Sequence, residues 1–232
     1  MDLSHYNGLA ELFWYPDLTY ADRVKPTHEF LSANYPDAAR EMDAFVALFP
    51  FADLREMEEL FTRSFDVQSV TTLDVGYVLF GEDYKRGELL ANLNRELNES
   101  GVDCRGELAD HLPNLLRLLA IIGKEPEKAE LVEELVVEIV APALRQMIAE
   151  FDPDRLKEKD DSYLHHYKTL IETPGDYFTA YCHCLRALNE VLSADFSLEE
   201  KAAVKPPMLE QSIDFLKSLR QEMEIEGHEH PE

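Results

Sequence analysis

Apolar residues recur along this chain at intervals of three and four, the spacing that turns one face of an α-helix toward a core. Met42, Phe45, Val46 and Phe49 follow it, as do Leu112, Leu115, Leu116 and Leu119. Leu90, Leu93 and Leu97 form another stripe, which Gly101 is placed to end with a left-handed cap. Tyr177, Tyr181, Leu185, Leu188 and Leu192 form one more. The longest periodic run, Glu125 to Phe151, is apolar at Leu131, Leu135, Ile139, Leu144 and Met147 and acidic at Glu130, Glu134 and Glu138. Its acidic first turn suits the helix macrodipole, and Pro142 predicts a kink. Neither sustained alternation nor an Asn-Gly or Asp-Gly hairpin signals a strand.

Pro16, Pro36 and Pro50 punctuate the first fifty residues, and Pro36 fits a first helical turn, where its missing N–H costs nothing. Asp53 and Asp83 are candidate caps for the helices that follow them. These signals divide the chain into about nine to eleven helices. The expected fold class is all-α, a single globular helical domain over residues 1–220, followed by an acidic tail, 221–232, expected to be disordered.

Charge sharpens the picture. Against 22 Lys and Arg stand 47 Asp and Glu, a net charge of −25. Such a field repels phosphate backbones and anionic lipid and attracts basic peptides, so neither nucleic acid nor membrane insertion is expected. For most of these acids a solvated helix face is explanation enough. A chain of 232 residues with three cysteines fits a core built without disulfides, in a reducing compartment. No apolar run approaches the roughly 20 residues that cross a bilayer, and no basic and apolar leader opens the chain, so the expected location is cytoplasmic. A monomer or weak homodimer is the expected state.

Most catalytic chemistry lacks its signature. The nine glycines are scattered, with no phosphate-cradling loop. No repeated Glu-x-x-His supports a di-iron bundle, and no Gly-x-Ser-x-Gly presents a nucleophile. Cys182-His183-Cys184 is the best metal lure, but neighbours on a helix point about 100° apart and the triplet interrupts a core stripe. His165-His166 and the tail's His228 and His230 have ordinary readings as surface or partly buried histidines. The expectation is a protein that is not an enzyme, with no catalytic residue, metal or cofactor.

Between Leu73 and Leu118 the apolar runs are interrupted by Tyr77, Leu79-Phe80-Gly81, Arg86-Gly87 and Glu107-Leu108-Ala109-Asp110-His111-Leu112-Pro113. Tyr77 and Phe80 read as core aromatics, Gly81 and Gly87 as a tight turn and a close helix approach, and Arg86 as a partner for Asp83 or Glu82. Glu107, Asp110 and His111 fall in a connecting segment where side chains need not be buried. For Asp110, capping the Leu112 helix and binding a ligand both stand open and are compatible. Glu107 has the weaker structural explanation.

This segment resembles the assembly chaperones of respiratory molybdoenzymes, the group containing the nitrate reductase chaperone NarJ and its relatives TorD and DmsD. The family's shared elements match Tyr77, Leu79-Phe80-Gly81, Arg86-Gly87 and Glu107 to Pro113; Ala109 stands where the family has a proline. Leu12-Phe13-Trp14-Tyr15-Pro16 and Phe65-Asp66 extend the likeness over about the first half of the chain. The resemblance implies an all-helical cytoplasmic chaperone. Its partner would be the apo catalytic subunit of a molybdopterin oxidoreductase such as nitrate reductase, gripped by an amino-terminal segment with a basic end and an apolar stretch, a twin-arginine signal or its relic. The chain has no Arg-Arg pair and so is not expected to be such a cargo itself. The implied peptide-binding residues are Asp66, Tyr77, Phe80, Glu107, Asp110 and His111.

A micromolar complex needs about 8 kcal/mol, whereas exposed ion pairs give roughly 0.2 to 1 kcal/mol each. At about 25 cal/mol per Å2, several hundred Å2 of apolar peptide surface must do most of the work. The expectation is therefore an apolar slot rimmed by carboxylates such as Glu107 and Asp110. The alternative is an acidic helical adaptor or subunit unconnected with molybdenum.

Overall fold

The computed structural model describes residues 1–156 and 179–198, and there the chain is all-α: ten α-helices, and no strand beyond one isolated bridge. The tail, Tyr177, His165, His166 and the 220/221 boundary lie outside the described residues. No described helix is long and apolar enough to cross a membrane. The helices are α1 (Tyr6–Glu11), α2 (Tyr20–Asn34), α3 (Pro36–Leu48), α4 (Leu54–Phe65), α5 (Val75–Phe80) and α6 (Tyr84–Glu99). They continue with α7 (Leu112–Ile122), α8 (Ala129–Glu134), α9 (Ala141–Glu150) and α10 (Ala180–Phe196).

Local chemistry sets several of these ends. Asp53 Oδ1 accepts from the N–H groups of Arg55 and Glu56, and Asp83 Oδ1 from that of Lys85, so both anticipated caps form. Pro36 opens α3. After α6, Gly101 takes φ +66°, its N–H bonds Asn98 O at 3.1 Å, and the N–H of Val102 bonds Leu97 O at 2.9 Å. That double bond is the Schellman arrangement, and Val102 and Leu97 are both buried beside it.

The disturbance expected at Pro142 takes a particular form. Leu135–Val140 is a π-helical turn in which the Ala141 N–H reaches back five residues to Val136 O. Pro142 has no N–H to give, and in a regular helix its ring would crowd the Glu138 carbonyl; widening the backbone just upstream relieves that conflict.

The most extensive helix pair is α10 on α3. Tyr181, fully buried in the first turn of α10, has the rings of Phe45, Phe49, Phe61 and Phe65 between 4.9 and 5.8 Å from its own. Leu185, Leu188 and Leu192 continue the same buried stripe, whereas Val46 on α3 emerges to 38% exposure. Two further packings position the candidate site. Helix α1 lies on α7, and α5 lies on α6 and α9. The segment after α1 thereby meets the loop that leads into α7, and Tyr20 fixes it by donating its hydroxyl to Leu12 O at 2.7 Å.

Candidate functional site

The segments before α5 and before α7 run antiparallel for three residues: Val75 N–H bonds Asp110 O at 2.9 Å and Leu112 N–H bonds Leu73 O at 2.8 Å. This pairing places Asp74 opposite His111 and turns Asp110 inward, where it is fully buried. Arg86, at the start of α6, reaches it. Arg86 Nε donates to Asp110 Oδ2 at 2.9 Å, and Nη2 donates to Asp74 Oδ2 at 3.0 Å. His111 Nδ1 lies 3.4 Å from Asp74 Oδ1. Burial works against the Arg86 charge, but its bonds to Asp110 and Asp74 outweigh it and raise its pKa. The His111 hydrogen bond, helped by Arg86 and opposed by burial, holds the Asp74 carboxyl below the ordinary range.

This knot corrects several expectations. Asp110 neither caps α7 nor rims a slot: the N-cap position is His111, without a side-chain cap bond, and the Asp110 carboxylate is consumed by Arg86. A ligand cannot reach a carboxylate with no exposed surface. Arg86 pairs with Asp110 and Asp74 rather than with Asp83 or Glu82, because α6 starts close enough to α5 for a tertiary partner. Tyr77 is not a core aromatic; it is 45% exposed, with the Arg86 guanidinium 5.3 Å from its ring centre. The close approach belongs to Gly76, not Gly87. A Cβ at Gly76 would stand 2.6 Å from Asp110 Oδ2, whereas one at Gly87 would meet open space. Gly81 does make the tight turn, with φ +60° at the end of α5.

On the other side of His111 sits Trp14, the single tryptophan, its ring 5.7 Å away and its side chain largely covered. Its Nε1 is buried without a hydrogen-bond partner among the described residues. Arg105 lies over it, the guanidinium carbon 4.7 Å from the ring centre, and Arg105 Nη2 donates to Glu11 Oε1 at 3.1 Å. The other Glu11 oxygen faces Arg23 Nη1 at 3.4 Å. Arg105 has φ +53° in a turn that continues through Gly106 at +87°. Tyr15, 49% exposed, packs edge-on against Phe61.

The structure thus brings Tyr77, Asp110 and His111 into one cluster. Glu107 is exposed on the same loop, next to Leu108 at 51% exposure. Phe80 is half-buried against the core at the end of α5. Asp66 stands apart as the exposed residue closing α4, its N–H bonded to Thr62 O. Sequence reasoning missed Asp74, Gly76, Glu11 and Arg105. A glycine inside the apolar run from Val75 to Phe80 was the one available signal for Gly76.

Cys182 and Cys184 both face the core, and burial pushes both thiols up; His183 points between them to Glu41 Oε2 at 2.6 Å. Among the described residues no group of three or more His, Cys, Asp and Glu converges as metal ligands would. A second polar cluster ties the amino terminus to α10: Asp195 accepts from Tyr6 at 3.0 Å and Tyr35 at 2.7 Å and lies 2.8 Å from His5 Nε2. Burial opposes the Asp195 charge, but the His5 and Tyr35 hydrogen bonds prevail and lower its pKa. Beside it a cleft of about 370 Å3 opens between the start of α3 and α10, lined by Asn34, Tyr35, Asp37, Glu190, Ser193 and Ser197. It does not border Glu107 or Asp110.

Compared with known proteins, the chain matches no family model and no curated protein.

Proposed function

We propose that this protein is a non-enzymatic cytoplasmic chaperone that binds the amino-terminal segment of an apo molybdoenzyme catalytic subunit, nitrate reductase being the leading candidate, and holds the subunit open until its cofactor is inserted. The observation that carries the reading is the convergence of the residues behind the molybdoenzyme-chaperone resemblance. Tyr77, Arg86, Asp110 and His111 are separated by up to 34 positions, since 111 − 77 = 34, yet they meet in one cluster with exposed Tyr77, Leu108 and Glu107 around it. Exposed apolar groups among carboxylates, on a chain of net charge −25, suit a peptide with an apolar stretch and a basic end. In this arrangement Tyr77, Glu107 and His111 meet the peptide, and Asp110 acts from behind by fixing Arg86.

The chaperone's effect is differential affinity. A partner that binds the immature form better shifts the population toward it. Titration calorimetry with amino-terminal peptides of molybdoenzyme catalytic subunits tests the reading; binding in the micromolar range is expected. Absence of heat at tens of micromolar for every such peptide overturns it.

A further inference from the structure

We propose that Arg105 is an internal stand-in for a ligand arginine, and that the Trp14 face with the Glu11 carboxylate forms a guanidinium subsite that Arg105 occupies when no peptide is bound. The proposal rests on the peptide-binding reading above and specifies which group of the basic segment is recognised and what it must displace.

Three observations meet here. First, Arg105 has both contacts that distinguish a guanidinium pocket from a general acidic surface: an aromatic face at 4.7 Å and a carboxylate oxygen at 3.1 Å. Second, the loop holds it there against local preference. Arg105 is a non-glycine residue at φ +53°, kept by Asp103 Oδ1 accepting its N–H at 2.9 Å and by Arg117 donating to the Asp103 carbonyl. Third, the indole N–H beneath it is buried and lacks an acceptor among the described residues.

Access is consistent with exchange. The Arg105 side chain is 44% exposed and that of Glu11 25%, so the guanidinium can swing out without opening the core. Arg23 does not take its place, being held by Glu11 Oε2 and the Tyr15 carbonyl. When a ligand arginine enters as Arg105 leaves, Glu11 remains paired and the indole remains covered. The exchange is charge-neutral inside the site, and the ligand guanidinium takes over the ring face and the Glu11 carboxylate. Lysine cannot reproduce it, because a compact ammonium lacks the planar fork that stacks and donates at once.

The single tryptophan makes the test direct, since all indole fluorescence reports this site. N-acetyl-arginine amide and N-acetyl-lysine amide are titrated into the full chain, into Arg105→Asn, which tolerates the left-handed backbone, and into Arg105→Gly as a second variant should the first lose its melting transition. With the internal competitor removed, the arginine amide is expected to bind about fivefold tighter than to the unaltered protein, with no such gain for the lysine amide. Adding Glu11→Gln to Arg105→Asn removes the gain. Equal binding with and without Arg105, or equal gains for the two amides, overturns the proposal. A molybdoenzyme peptide that binds while the arginine amide shows no gain refutes this subsite and leaves the chaperone reading standing. A gain for the arginine amide with no peptide binding does the reverse.

Discussion

The Arg86 to Asp110 pair is highly sensitive to the loss of one partner. Asp110 has no solvent-accessible surface, and Arg86 donates to it from Nε at 2.9 Å and more weakly from Nη2 at 3.4 Å. Replacing Arg86 with leucine keeps much of the aliphatic stem but leaves a buried carboxylate facing no cation. Breaking a buried pair from one side costs about 3 to 5 kcal/mol. Asp74, which Arg86 also holds, is partly exposed and can find water, so it adds little. For a chain of this size about 1 kcal/mol corresponds to roughly 2–4 °C in Tm, so Arg86→Leu should melt about 6–20 °C lower. The double variant Arg86→Leu with Asp110→Leu removes both charges and should recover much of the loss, because the penalty lies in the orphaned charge rather than in the missing attraction. Calorimetric or circular-dichroism melts of the single and double variants decide it. A single variant within about 3 °C of the parent, or a double variant worse than the single by the full cost of a second lesion, refutes the reasoning.

Two glycines give a matched comparison. Gly76→Ala should destabilise by about 1–3 kcal/mol, since its Cβ collides with the Asp110 carboxylate, while Gly87→Ala, inside α6 with open space around it, should gain about 0.5–1 kcal/mol in denaturant melts. Asp74 is held below its ordinary pKa of 3.8, so as pH falls the unfolded chain takes up this proton first. Its stabilising contribution is therefore complete above about pH 4 and lost as pH drops through the lower folded value, and Asp74→Asn should flatten the fall in Tm between pH 5 and 3, with an unchanged slope counting against the assignment. Among the thiols, Cys104 is partly exposed whereas Cys182 and Cys184 are buried, so mass spectrometry after brief native iodoacetamide treatment should find Cys104 labelled first.

Helix positions were legible in the sequence because periodicity, caps and breakers are local. Asp53, Asp83, Pro36 and Gly101 act within four residues of themselves, and each does what its type predicts. What sequence could not supply was the partner across space. Arg86 has acidic neighbours at Glu82 and Asp83, and local reasoning chose them; the fold instead offers Asp110, 24 positions on. Tyr77 reads as core by its type, yet its place depends on which face of a six-residue helix meets α6 and α9, and six residues are too few to fix that by periodicity. The same holds for Arg105, whose importance lies in a tryptophan some ninety positions away, since 105 − 14 = 91.

The buried position of Asp110 changes how mutations in this segment must be interpreted. If Asp110→Ala abolished peptide binding, the loss would not show contact, because the variant frees Arg86, unpacks Gly76 and disturbs the pairing that sets His111 against Asp74. Glu107 is free of that ambiguity, being exposed on a turn whose geometry is held by backbone bonds such as Glu107 N–H to Cys104 O at 3.0 Å. Glu107→Gln alone therefore isolates recognition: it should leave Tm within about 1–2 °C and weaken a basic peptide by about twofold to fivefold, with a reduced salt dependence. Peptide affinity and salt slope both unmoved would place the basic end elsewhere on the surface, and the motif's role at this loop would then be confined to bracing.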